Sequence, residues 1–146
     1  MGGHEWFYYV PYQPNIDKAL QELKQIEFAA GRYNPVIRFL DFPIGPDSPS
    51  PGPRHPSIKA AIRSSMEDGT RSILDMDSVS KSPDYCKVCA LPEQELMRLY
   101  GTTRPTHAMV EELLFLENAE RGQGIYIVLY EDDAPSEILF AGYSFD

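Results

Sequence analysis

A chain of 146 residues is long enough for one ordinary domain with a real core. Hydrophobic residues at 42% and charged residues at 24% are globular values and argue against a wholly disordered chain. The net charge of −9 has the wrong sign for phosphate-led nucleic-acid binding, two cysteines do not make a disulfide framework, and no apolar run nears the ~20 residues of a membrane span.

The first predicted element is a strand over Glu5 to Tyr12. Trp6, Tyr8 and Val10 fall on one face, Phe7 and Tyr9 on the other. Both faces are apolar, so cover on both sides is expected, and Pro11 and Pro14 close the strand. Asn15 then reads as an N-cap with Asp17 in the first helical turn. Ile16, Ala19, Leu20, Leu23 and Ile26 recur at helical spacing, and Gly31 is a natural stop. Val36 to Phe39 reads as a short strand. Asp41 to Pro56 carries six of the 13 prolines. Proline lacks the donor that helices and ladders need, so this stretch is a loop, and a loop of such length tends to be functional or mobile.

Ser57 to Asp68 has helical spacing and ends at Gly69. Arg71 to Val79 alternates like a strand, with Leu74 and Met76 on one face and Asp75 and Asp77 on the other. Tyr85 to Leu91 is a further strand. Pro92 opens a short helix that runs to Tyr100 and stops at Gly101. Thr103 or Arg104 caps a longer helix over Pro105 to Glu120, with Met109, Val110, Leu113, Leu114 and Leu116 as its apolar face. Gly124 to Tyr130 and Glu137 to Phe145 give the clearest strand signals. Asp132, Asp133 and Pro135 lie between them as turn formers, so the pair reads as a hairpin. The whole, 1–146, is expected to be a single α+β domain. Its sheet is mostly antiparallel, with about four to six strands and about four helices. Helices on one face is the first expectation; cover on both faces is the alternative.

Candidate chemistry is sparse. Cys86-Lys87-Val88-Cys89 has the spacing of half a zinc site or a redox pair. Its favoured reading is two ordinary thiols, because residues three apart on a strand point to opposite faces. Asp75 and Asp77 would share a strand face, where two carboxylates can bind a divalent metal or divide into acid and base. The competing reading is a solvated strand face. Arg32-Tyr33-Asn34-Pro35 is either turn chemistry or a grip for an anion or peptide. No nucleophile motif, phosphate loop or paired-histidine zinc spacing is present, and no cofactor is expected. His4, His55 and His107 stand singly.

The charge distribution is the most specific signal. Nine acids and one base, Arg121, follow residue 110, which places −8 of the −9 in the last quarter. Glu111, Glu112 and Glu120 fall on the expected long helix; Glu131, Asp132 and Asp133 crowd the hairpin tip. This pattern fits a noncatalytic domain that recognises a basic protein, a charge character shared by toxin-immunity proteins. The second expectation is a small enzyme or ligand-binding domain with its site near Asp75 and Asp77 under the Pro-rich loop. The N-terminus lacks the basic start and apolar run of a secretory signal, so the cytoplasm is the expected compartment.

Overall fold

The structure is a computed structural model that describes residues 3–38, 41–45 and 47–145. Phe39 of the expected short strand, Pro46 of the Pro-rich loop and Asp146 of the acidic quarter lie outside the described residues. Among the described residues, five strands form one sheet: β1 (Glu5–Pro11), β2 (Ser78–Ser80), β3 (Lys87–Ala90), β4 (Gly124–Glu131) and β5 (Ala134–Tyr143), in the order β1-β5-β4-β3-β2. The two long ladders, β1 with β5 and β5 with β4, are antiparallel; the two short outer ones are parallel. Four α-helices among the described residues accompany the sheet: α1 (Ile16–Ala30), α2 (Ile58–Ser65), α3 (Glu93–Tyr100) and α4 (His107–Val110). This is the expected α+β class with its C-terminal hairpin.

One row of paired residues crosses all five strands: Trp6, Gly142, Gly124, Val88 and Val79. The two glycines make a trough for the Trp6 indole, which is fully buried. A Cβ on Gly142 would lie 2.6 Å from the indole and 2.5 Å from the Gln123 carbonyl oxygen. A Cβ on Gly124 would meet the indole, Val88 and Met76 at 3.0–3.1 Å. The next row on this face is Tyr8, Phe140, Tyr126 and Ala90.

Helices cover both faces, which corrects the first expectation and matches the alternative. Ala19, Leu20 and Leu23 of α1 join Trp6, Tyr8, Ile138 and Phe140 on one face, together with Ile73 and Met76. Leu96 of α3, Val110 of α4, Phe115 and Leu116 pack on Ile127, Leu129, Leu139 and Ala141 on the other. The cause is visible in β1, β4 and β5. Their alternate residues are apolar in both directions, so either face left open would stay in water. A third cluster, Tyr33, Val36, Ala61 and Leu74, seats α2.

Termini of α1 follow their sequence signals. The Asn15 side chain accepts from the Lys18 N–H at 3.0 Å, and Gly31 takes a left-handed φ of 74°. The Gly31 and Arg32 N–H groups then donate to Phe28 and Glu27 carbonyls, which closes the orphan carbonyl end. Asp17 accepts from the Val79 N–H at 3.0 Å, so the first turn of α1 also covers the edge strand β2.

Four sequence expectations change. Arg71 to Val79 is not one strand. Ile73, Leu74, Asp75 and Met76 are all buried in succession, which alternation cannot achieve, and Ile73–Asp75 forms a 3-10 turn capped by Ser72. The long helix over Pro105 to Glu120 is α4, then a break at Leu113 (φ 55°), then a 3-10 helix over Leu114–Asn118. Thr106 makes no side-chain cap, and the break lets both Phe115 and Leu116 reach the sheet. Val36 and Ile37 form a turn on the Tyr33 carbonyl rather than a strand. The hairpin turn is tighter than expected. Asp132 and Asp133 alone span it, both at positive φ (51° and 64°), between the paired residues Glu131 and Ala134. That is the two-residue turn that suits strand twist, and Asp tolerates it.

Gly142→Ala should lower stability by about 1–3 kcal/mol, because its methyl group has to displace a buried ring or a backbone carbonyl. A denaturant titration reads the effect; an unchanged midpoint contradicts the glycine trough as drawn.

Candidate functional site

The structure does not bring Asp75 and Asp77 onto one face. Asp75 is buried, and its Oδ1 accepts from the Thr70 N–H at 2.8 Å and the Thr70 hydroxyl at 2.7 Å. It holds a turn. Asp77 is exposed and takes the Lys87 ammonium at 2.6 Å. That contact holds its carboxyl below the usual range. The 3-10 turn between Ser72 and Met76 is what separates the two side chains. Cys86 precedes β3 with φ 61°, and Cys89 lies buried within it; both are free thiols. Burial pushes both thiols up, away from an activated thiolate. Among the described residues, no group of three or more His, Cys, Asp or Glu side chains is placed to hold a metal ion. No helix among them is long and apolar enough to cross a membrane.

Arg32 and Tyr33 tie the Pro-rich loop to the end of α1. Arg32 donates twice to the buried Glu27 carboxylate, at 2.8 and 2.6 Å, and once to the Ser50 hydroxyl at 2.5 Å. The Tyr33 hydroxyl lies 2.8 Å from His55 Nδ1 and accepts from the Arg54 N–H. The Gly52 N–H donates to the Ala30 carbonyl at 2.8 Å. The loop therefore packs on the C-terminal end of α1.

Two surfaces remain as candidates. The first gathers acids from the last quarter. His107, at the start of α4, stacks on Tyr9 with ring centroids 4.1 Å apart. Its Nδ1 lies 2.9 Å from Glu137 of β5, and its Nε2 lies 3.7 Å from Glu111. Arg104 reaches Asp133 at the hairpin tip at 3.0 Å and lies over the Tyr130 ring at 5.5 Å. The Tyr130 N–H donates to the Pro105 carbonyl at 2.9 Å, at the irregularity where the β4–β5 register shifts. The segment before β4 is thus bound to the hairpin, and Glu111, Asp133 and Glu137 share a neighbourhood. Glu112, Glu120, Glu131 and Asp132 are exposed, and no ion pair joins them to a base among the described residues. Glu120 is not brought to the hairpin tip: it precedes the Arg121–Tyr143 bridge at the opposite end of β4. Desolvation raises the Tyr9 hydroxyl pKa, and Glu111 and Glu137 add to the rise. His107 and Arg104 are legible in the sequence only as isolated bases. Their roles appear once the hairpin closes on the segment before it.

The second surface lies along the outer edge of β1, and no sequence motif marks it. A cavity of about 260 Å³ is lined by Phe7 to Pro11, by Leu23, Ile26 and Glu27 of α1, and by Arg32 and Gly45. A neighbouring cavity of about 280 Å³ shares Val10, Pro11, Leu23 and Ile26, and adds Tyr12, Gln13, Ala19 and Glu22. The shared walls make these one groove. The proline in β1 is its faint signal, since proline inside a strand marks an edge.

Comparison with known proteins finds no family model, no curated protein and no solved structure that matches this chain.

Asp75→Ala should cost about 1–3 kcal/mol, because the buried Thr70 N–H loses its acceptor while the Thr70 hydroxyl keeps only Ser72 as a partner. Asp77→Ala should barely move the denaturation midpoint, since its exposed ion pair is screened by water. Equal losses in the two variants would contradict the separate roles of the two carboxylates.

Proposed function

We propose that the protein is a noncatalytic binding domain whose C-terminal acidic quarter recognises a basic protein surface. The supporting observation is the closure of the 104–111 segment on the hairpin through His107 and Arg104. Acids distant in sequence come to one neighbourhood through these contacts. Glu112, Glu131 and Asp132 are exposed and adjoin Glu111 and Asp133 in the chain. Fields from several like charges add, so such a face speeds encounter with a cationic partner and repels anionic ones. The two bases present are engaged internally and also hold α4 against the sheet. A reducing cytoplasm suits the two free thiols.

The test is a triple variant, Glu112→Lys, Glu131→Lys and Asp132→Asn. Asn is chosen at 132 because the position needs positive φ, which Asn tolerates. All three residues are exposed, so the variant should keep its fold. Wild-type protein should recover basic partners from lysate at low salt and lose them as salt rises. The variant should recover far fewer. Recovery of the same set by the variant, with the same salt dependence, would overturn the reading.

A further inference from the structure

The hairpin carries an aromatic ring and a carboxylate on one short unit. Tyr130 lies in β4 and Asp133 in the two-residue turn that follows, closed by the Glu131–Ala134 pair, so the hairpin backbone sets their spacing. Arg104 comes from outside this unit. Its guanidinium lies over the Tyr130 ring, 5.5 Å from the centroid. Its Nη1 donates to the Asp133 Oδ1 at 3.0 Å and to the Asp133 carbonyl at 3.4 Å. The seat and its occupant are therefore built separately.

Arg104 fills this seat incompletely. A guanidinium can give a carboxylate two parallel bonds, yet here one nitrogen serves both Asp133 oxygens. Its Nε and Nη2 make no hydrogen bond to any described residue. The backbone is tethered on both sides: the Arg104 N–H donates to the Thr102 hydroxyl at 3.0 Å, and Pro105 accepts from the Tyr130 N–H at 2.9 Å. The Arg104 side chain is 54% exposed, and an ion pair that open to water is weak. The segment does not depend on it for closure. The Pro105 bond and the contacts of His107 with Tyr9 and Glu137 remain when Arg104 leaves. An arginine from another protein has no such tether and can meet Asp133 through two nitrogens. Lysine fits less well. Its ammonium is a compact, strongly hydrated charge, whereas a guanidinium is flat, weakly hydrated and stacks on aromatic faces.

We infer that the Tyr130 ring and the Asp133 carboxylate form an arginine seat for the basic partner, which Arg104 occupies in the free protein and yields to an arginine of that partner. The inference rests on the acidic-face reading and adds two things to it: guanidinium is preferred to ammonium, and the chain carries its own competitor.

The probes are fluorescein-labelled hexa-arginine and hexa-lysine, with binding read by anisotropy at one low salt concentration. Arg104→Ala and Thr103→Glu each lower the net charge by one. Both positions are exposed, but only the first empties the seat. Arg104→Ala should bind hexa-arginine at least about threefold more tightly than Thr103→Glu does, while the two variants bind hexa-lysine alike. Adding Tyr130→Leu to Arg104→Ala keeps apolar bulk on the strand and should abolish that arginine-specific gain. In wild-type protein, saturating hexa-arginine should move the Arg104 Nε–H resonance, identified by its loss in Arg104→Ala. An equal gain in the two charge-matched variants, an equal gain for hexa-lysine, a gain that survives Tyr130→Leu, or an Arg104 resonance unmoved at saturation would each overturn the inference. If wild-type protein binds neither peptide, the acidic-face reading falls and this inference falls with it. If both peptides bind and the Glu112, Glu131 and Asp132 triple variant weakens them, but the Arg104 contrast is missing, this inference alone is overturned.

Discussion

The fold depends on one contact, the Trp6 indole lying across Gly142 and Gly124. A ring of this size removes ~150–250 Å² from water. At ~25 cal/mol per Å² that burial is worth about 4–6 kcal/mol, an upper value because the unfolded chain already hides part of the ring. The gain is available in one register. A slip of one residue would turn the indole to the opposite face, where the Phe7 row holds Ala141 and Ile125. Three strands are thereby aligned by one side chain and two absent ones. Val88 and Val79 extend the same row to the far edge.

Fixing β1 as an outer strand has consequences on both of its sides. Its inner face must be covered, and α1 supplies Ala19, Leu20 and Leu23. The helix then has to end beside Tyr8, and the ending is polar. Glu27 is buried there, and its charge is met by Arg32 rather than by water. Burial raises the Tyr8 hydroxyl pKa, with Glu27 adding to the rise. A buried carboxylate without its guanidinium would cost several kcal/mol. The same guanidinium also holds Ser50 of the Pro-rich loop. The long loop is thus secured by the residue that neutralises the helix end.

Elements that carry their own local signals are legible in the sequence. α1 has Asn15, a helical stripe and Gly31; α3 has Pro92 and Gly101; the hairpin has two apolar runs around adjacent aspartates. These signals agree with the final packing, so local and tertiary preferences point the same way. The misread segments lack that agreement. Leu74 to Asp77 alternates in polarity, yet tertiary burial takes Ile73 to Met76 in succession, Asp75 included. The stripe from Met109 to Leu116 fits a helix, but the sheet draws in Val110, Phe115 and Leu116 and leaves Met109 and Leu114 half exposed. Propensity is a weak prior where a flat apolar surface competes for the same side chains. The acidic quarter is legible as composition. Its connection through His107 and Arg104 is not, because residues 29 and 30 positions apart carry no local sign of contact.

The location of the acids also follows from the sheet. β4 and β5 are its two innermost long strands, with apolar residues on both faces over most of their length, so they can carry charge only at their ends. The tip therefore collects Glu131, Asp132 and Asp133, and the start of the paired return strand collects Glu137. Repulsion among them is relieved by Arg104 on Asp133, and His107, from the segment that the structure shortens from a long helix, lies between Glu111 and Glu137. If that segment had continued as helix through Glu120, Phe115 and Leu116 would not both reach the sheet. The break at Leu113 therefore serves the core, while the four-residue helix before it keeps His107 against Tyr9 and Glu137. On the proposed reading, a basic partner would meet a face whose geometry is set by apolar packing and where Arg104 already shows how positive charge is held: paired with the Asp133 carboxylate and lying over the Tyr130 ring.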